Sequence, residues 1–256
     1  MGLIYMKKIF FALILSCFFN LSTMADESMV KYKEDCLKYV SSPKVTLESS
    51  YGKLRYVHTK SMEYLGRATA EKLESLHKNT QKEFKIMGLT KVRDVFDYET
   101  TFGLQPLNRK YLCVYPETIK VRLAYNMPTI YIANNLEKGT CLYNLTERHE
   151  NTHMHIYIDA LDYFLPNFKK YLDQQFKEIG VEIVSNQEDA KEIIKNLNEE
   201  YLKGARAKVE EWRQEVEAEE LKLDAPEHYL MESLICEHVD GTKIPDEIIW
   251  NLPRLE

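Results

Sequence analysis

The chain has no C-x-x-C pair among its five cysteines, no glycine-rich phosphate loop and no G-x-S-x-G turn. The first absence removes the compact cysteine-rich zinc modules. The other two remove P-loop nucleotide chemistry and the serine nucleophile elbow. Basic blocks interleaved with aromatics are also missing and the formal net charge is −6, so nucleic acid is not an expected partner. No internal repeat or low-complexity segment is present, which excludes solenoids and repeat arrays. After the N-terminal apolar run, no stretch reaches membrane-spanning length, so no stable span is expected in the mature chain.

That N-terminal run reads as an export signal over residues 1–25. "MGLIYMKK" supplies a short basic region, "IFFALILSCFFNL" the apolar core, and Thr23 and Ala25 the small residues before a cut. A lipoprotein signal with Cys17 as the lipidated residue is the second reading, because Leu15 is bulky for its position; an uncleaved anchor is the third. The expected location is periplasmic or secreted. Residues 26–256 are expected to form a single domain, mainly sheet with one helix over 26–140 and mainly helical over 141–256. Cys36, Cys113, Cys141 and Cys236 remain after signal removal. An even count in an exported chain predicts two disulfides with three pairings open, of which Cys113–Cys141 with Cys36–Cys236 is favoured.

Hydrophobic periodicity predicts a hairpin across Lys44–His58 around a Ser-Ser-Tyr-Gly turn, and a helix through "GRATAEKLESLHKNTQKEFKIMG" that stops at Gly88. A second hairpin is expected around Asn-Met-Pro in "TIKVRLAYNMPTIYIAN". A long helix opens at Gly139-Thr140, meets Pro166 and ends near Gly180; another runs from about Gln187 to Leu223 with Ile193, Ile194, Leu197, Tyr201 and Trp212 on its apolar face. The fold class is therefore α+β, a small antiparallel sheet packed on a long helical hairpin.

Within the first long helix, residues 148–155 read "RHENTHMH". His149 and His153 stand four apart, so their imidazoles lie nearly above one another and can share one Zn²⁺. Glu150 is one step round, where a carboxylate can act as general base. His155 lies on the opposite face. A third ligand is needed, and Asp159 is a poor one because Ile156 stands where a helix-breaking Gly would turn the chain back. A short connection packs the two helices antiparallel. Equal rise then brings Glu215, Glu217, Glu219, Glu220, Asp224, Glu227 and His228 within reach of the metal. His228 leads because neutral imidazole suits zinc, with Glu227 and Glu217 behind it. His58 and His77 read as ordinary surface or core residues, and the Asn144 sequon sits on a helix, a poor acceptor. Tyr157 and Tyr229 are candidates to polarise a carbonyl, though most of the 17 tyrosines must simply pack.

"CVYPETIKVRLAY…TIYIANNLEKGTCLYNLTERHENTHMHIYIDAL" with the later "LDAPEHY…C" resembles a family of bacterial exported proteins grouped as secreted zinc-dependent proteases. The similarity runs from about Tyr111 to Cys236, and the order of sheet, strand, H-E-x-x-H helix and further helices is similar to the zincin peptidases. The resemblance implies hydrolysis of peptide bonds by a zinc-activated water with Glu150 as base. It also implies that Thr129–Asn134 is an edge strand pairing with extended substrate. Protein, peptide and peptidoglycan peptide all remain open as substrates, and the oligomeric state is not read. The rival is a non-catalytic envelope protein that binds a partner through its helical hairpin and holds a structural or vestigial metal.

Overall fold

The computed structural model describes residues 29–69, 86–225, 228, 231 and 234–236. The export-signal reading and residues 70–85 of the helix expected over 66–88 lie outside them. A helix over 29–39 (α1) precedes β1 (Lys44–Ser50), β2 (Arg55–Val57) and a short helix α2 (Met62–Ala68). Ser61 caps α2 by accepting from the Tyr64 amide. Next come β3 (Gly88–Lys91), β4 (Asp94–Pro106), β5 (Leu112–Tyr125) and β6 (Thr129–Ile132). The long helix α3 (Cys141–Ile179), strand β7 (Glu182–Val184) and long helix α4 (Gln187–Leu223) complete the order.

The chain is mixed α+β, as expected, but it builds two sheets where one was read. The first has the order β1-β5-β4, with β7 also on β5. The second is β2-β6-β3, in which β6 runs parallel to β2 and antiparallel to β3. Neither expected hairpin forms, and one corner explains both failures. Gly52 has φ 68°, and a side chain there would collide with the Tyr125 carbonyl and come within 2.9 Å of Pro128 Cδ. The Arg55 amide donates to the Pro128 carbonyl at 3.0 Å. The two turns, one around Gly52 and one at Asn126-Met127-Pro128, thus wedge together. Each carries its chain out of the first sheet into the second, instead of back onto its own strand. Strand β4 was missed, although Phe96, Tyr98, Thr100 and Phe102 alternate with Asp97, Glu99 and Thr101 in the period of a half-buried strand.

Two compact units divide the chain. One comprises residues up to 46, 98–120 and 170–205; the other comprises 47–97, 121–169 and 206 onward. In the first, Cys36, Cys113, Val181 and Ile183 form a buried cluster, covered by Met29, Tyr32, Val40 and Tyr111 among others. In the second, Leu65, Ile86 and Ala133 form one buried cluster, with Leu89 and Tyr131 packed against it. The disulfides follow this division: Cys36–Cys113 lies in the first unit and Cys141–Cys236 in the second. The favoured Cys113–Cys141 and Cys36–Cys236 pairings are therefore wrong. Cys113 stands near the start of a 14-residue strand. Twelve extended residues carry the chain about 40 Å from it before the turn toward α3 begins.

Helix α3 runs unbroken through Pro166, closing at Gly180 (φ 72°), whose amide donates to the Phe176 carbonyl at 2.8 Å. No helix among the described residues is long and apolar enough to cross a membrane.

Candidate metal centre

Each long helix buries one stripe, and the centre grows out of both. On α3 the buried positions Leu145, His149, His153, Leu161, Phe164 and Phe168 follow helical spacing. On α4 the stripe runs Val209, Trp212, Val216, Glu220 and Asp224, the last residue lying just past the helix end. Phe164 stacks on Trp212 at 5.2 Å, while His153 meets Glu220 and Asp224 nearer the α4 C-terminus. Contacts pairing rising numbers with falling ones mark an antiparallel pair, as expected. An i, i+4 imidazole pair thereby faces an i, i+4 carboxylate pair.

His149 Nε2 and His153 Nε2 are 3.2 Å apart. Asp224 Oδ1 is 3.4 Å from the first and 3.0 Å from the second. Tetrahedral ligands on zinc bonds of about 2.1 Å stand roughly 3.4 Å from one another, so this two-nitrogen, one-oxygen set fits the ion. The third residue of the group that could hold a metal ion is Asp224, where His228 is the expected one. The His228 ring centroid is 6.5 Å from that of His149, and its amide donates to the Ala225 carbonyl at 2.9 Å. Four residues beyond Asp224 and past the helix end, it overshoots the stripe. Asp159 and Glu217 are exposed and outside the set, and Glu227 and Tyr229 lie outside the described residues. His58 stacks near Tyr143 at 5.8 Å, an ordinary packing role.

The remaining groups hold the ligands in place. Glu220 Oε1 accepts from His153 Nδ1 at 2.9 Å, which directs Nε2 toward the centre. Its other oxygen accepts from the Tyr157 hydroxyl at 2.9 Å, so Tyr157 serves the ligand shell. Glu150 is buried beside both imidazoles. Thr90 on β3 donates its hydroxyl to Glu150 Oε2 or to the Glu150 carbonyl, each at 2.8 Å. A side chain on Gly88 would collide with Glu150 Oε1 and come within 2.6 Å of its Cγ, so only glycine leaves that oxygen room. Gly88, the expected helix stop, opens β3 instead.

Burial raises the Glu150 pKa, against the opposing charges of His149 and His153 and the Thr90 hydrogen bond. Burial acts most strongly on His153 too, disfavouring its charge, but hydrogen bonds to Asp224 and Glu220 and their charges outweigh it. The result is a pKa pushed up to about 9 in the metal-free protein. A folded pKa above the unfolded one gives stability that is complete below the ordinary histidine value, and lost as pH rises through the folded value. Metal-free protein should therefore need less urea to unfold at pH 10 than at pH 6. The raised Glu150 pKa works in the same direction. Saturating zinc should flatten this slope, because the ion takes the place of the His153 proton. An equally steep slope in His153→Gln would show that another group is responsible.

No protein-family model matches the chain, and neither a curated protein nor a solved structure matches it.

Proposed function

We propose that the protein is an exported zinc-dependent metallopeptidase. The observation that carries this reading is the convergence of His149, His153 and Asp224 within 4.8 Å, with Glu150 buried next to them. His149, His153 and Asp224 would hold the ion, which would supply Lewis acidity to a water and to the scissile carbonyl. Glu150 takes a proton on Oε1 and returns it to the leaving amine, while Thr90 keeps Oε2 engaged.

Strand β3 supports a peptide as substrate. The Ala133 amide donates to the Met87 carbonyl at 2.8 Å, and the register pairs Leu89 with Tyr131. The main-chain groups of Gly88 and Thr90 therefore point away from β6, to a side where no strand pairs among the described residues. These are the two residues whose side-chain positions flank Glu150. An extended peptide pairing there would pass the base. The edge expected at Thr129–Asn134 is instead the central strand of its sheet, covered on both sides by β2 and β3.

A second reading also has an observation in its favour. His149, Glu150 and His153 are each 4% exposed and Asp224 8%, which suits a metal that stabilises a non-catalytic envelope protein. Zinc content alone does not separate the two readings; turnover does. Purified protein should cleave fluorogenic peptides, lose that activity to chelator and regain it with zinc. His149→Ala, His153→Ala and Asp224→Ala should each lose stoichiometric zinc, while His228→Ala keeps it. Asp224→Ala with full zinc content would overturn the ligand set.

A further inference from the structure

Beside the metal centre, and sharing Glu220 with it, lies a cavity of about 350 Å³ lined by Val92, Asp94, Tyr125, Tyr157, Trp212, Arg213, Val216, Glu217 and Glu220. Its hydrogen-bonding capacity is one-sided. The Tyr125 hydroxyl gives its hydrogen to the Tyr157 carbonyl at 2.7 Å, and the Tyr157 hydroxyl gives its own to Glu220. Each phenol oxygen is left with lone pairs only. Arg213 is committed: its Nε and one terminal nitrogen reach Asp94 Oδ2 at 3.1 and 2.6 Å, and the other reaches Glu210 at 3.1 Å. Three carboxylates against one guanidinium leave the lining two negative charges in excess.

Glu217 is exposed, and no hydrogen bond or ion pair engages it among the described residues. Trp212, only 4% exposed, is packed between Tyr125 and Phe164, and its buried indole N–H has no acceptor. The lining thus offers mainly acceptors and negative charge, and its remaining donors are the two Arg213 N–H groups beyond the three held by Asp94 and Glu210. Its complement is an apolar stem ending in a cation rich in donors.

We propose that this cavity binds the guanidinium or ammonium side chain of a basic residue in the substrate, with Glu217 as its counter-ion. The proposal rests on the peptidase reading for the ligand being a peptide residue, while the cation site itself is tested by binding alone. Trp212 and Trp250 are the only tryptophans, so Trp250→Phe leaves Trp212 as the sole indole emitter. N-acetyl-arginine amide titrated into zinc-loaded Trp250→Phe protein should change that emission saturably, and N-acetyl-norleucine amide should not. Glu217→Gln should weaken the arginine response about tenfold, which corresponds to roughly 1.4 kcal/mol, and Glu217→Lys should abolish it. No saturable response, equal responses to both amides, or an unchanged response in Glu217→Lys would each overturn the site.

Cleavage separates this proposal from the reading beneath it. Peptides carrying arginine or lysine should be hydrolysed at least tenfold faster than norleucine counterparts, and Glu217→Lys should erase that preference. Arginine binding with no hydrolysis of any peptide retains the cation site and overturns the peptidase. Hydrolysis indifferent to basic residues overturns the cation site and retains the peptidase.

Discussion

Glu150→Gln should retain one zinc per chain and hydrolyse peptide roughly 10²–10⁴-fold more slowly, the range general acid–base catalysis spans. Glutamine keeps the shape and the oxygen that accepts from Thr90, so the fit beneath Gly88 is undisturbed. What it lacks is the ability to take a proton at Oε1. The converging atoms are His149 Nε2, His153 Nε2 and Asp224 Oδ1, so removing the Glu150 charge leaves all three ligands in place. Stability should move the other way from activity. Burial disfavours the ionised carboxylate, and a neutral amide escapes that cost, so the variant should melt at the same temperature or higher. Zinc content by elemental analysis, melting temperature and turnover together decide the role. A variant that loses its zinc would make Glu150 a ligand, and one that keeps full turnover would remove it from the mechanism.

How much of this was legible in the sequence differs from element to element. The H-E-x-x-H pair, the boundaries of α4 and the antiparallel helices follow from local periodicity and a short connection, and the coordinates agree with them. Asp224 was one name among several, because a run of six carboxylates between Glu210 and Glu220 looks uniformly solvated. The signal lay in phase. Extending the apolar stripe of α4 in fours from Trp212 gives 216, 220 and 224; of the six acids only Glu220 is buried, and Asp224 beyond them is buried with it. His228 stands one further step of four along the same series but past the end of α4, so phase does not separate it from Asp224 and residue type alone favours it. The strands failed for another reason. Alternation marks a strand but does not name its partner, and the wedge between Gly52 and Pro128 that sends β2 and β6 into a second sheet is a contact between residues 76 apart in sequence. The disulfides inherit that failure, since their pairing depends on which unit each strand end joins.

The two disulfides should separate stability from metal binding. They close loops of 77 and 95 residues, and chain entropy assigns each about 4.5 kcal/mol of stability at 25 °C. Cys36→Ala/Cys113→Ala and Cys141→Ala/Cys236→Ala should therefore lower the unfolding free energy of metal-free protein by similar amounts. Their effects on zinc should differ. Cys141 is the first residue of α3, two helical turns before His149, and Cys236 lies twelve residues after Asp224. That bond ties the chain leaving Asp224 to the start of the helix carrying both imidazoles, within one unit of the fold. Without it, Asp224 is held against the histidines only by the end of α4. Zinc affinity should then fall tenfold or more, because part of the binding free energy must go into ordering the third ligand. Cys36–Cys113 joins α1 to the start of β5 in the other unit, and its loss should leave the zinc dissociation constant within about twofold. Urea titration gives the first comparison and competitive zinc titration under conditions favouring the fold gives the second. Equal weakening of zinc by both double variants would mean that the metal responds to global stability alone, and that the bond at Cys141 has no special part in holding Asp224.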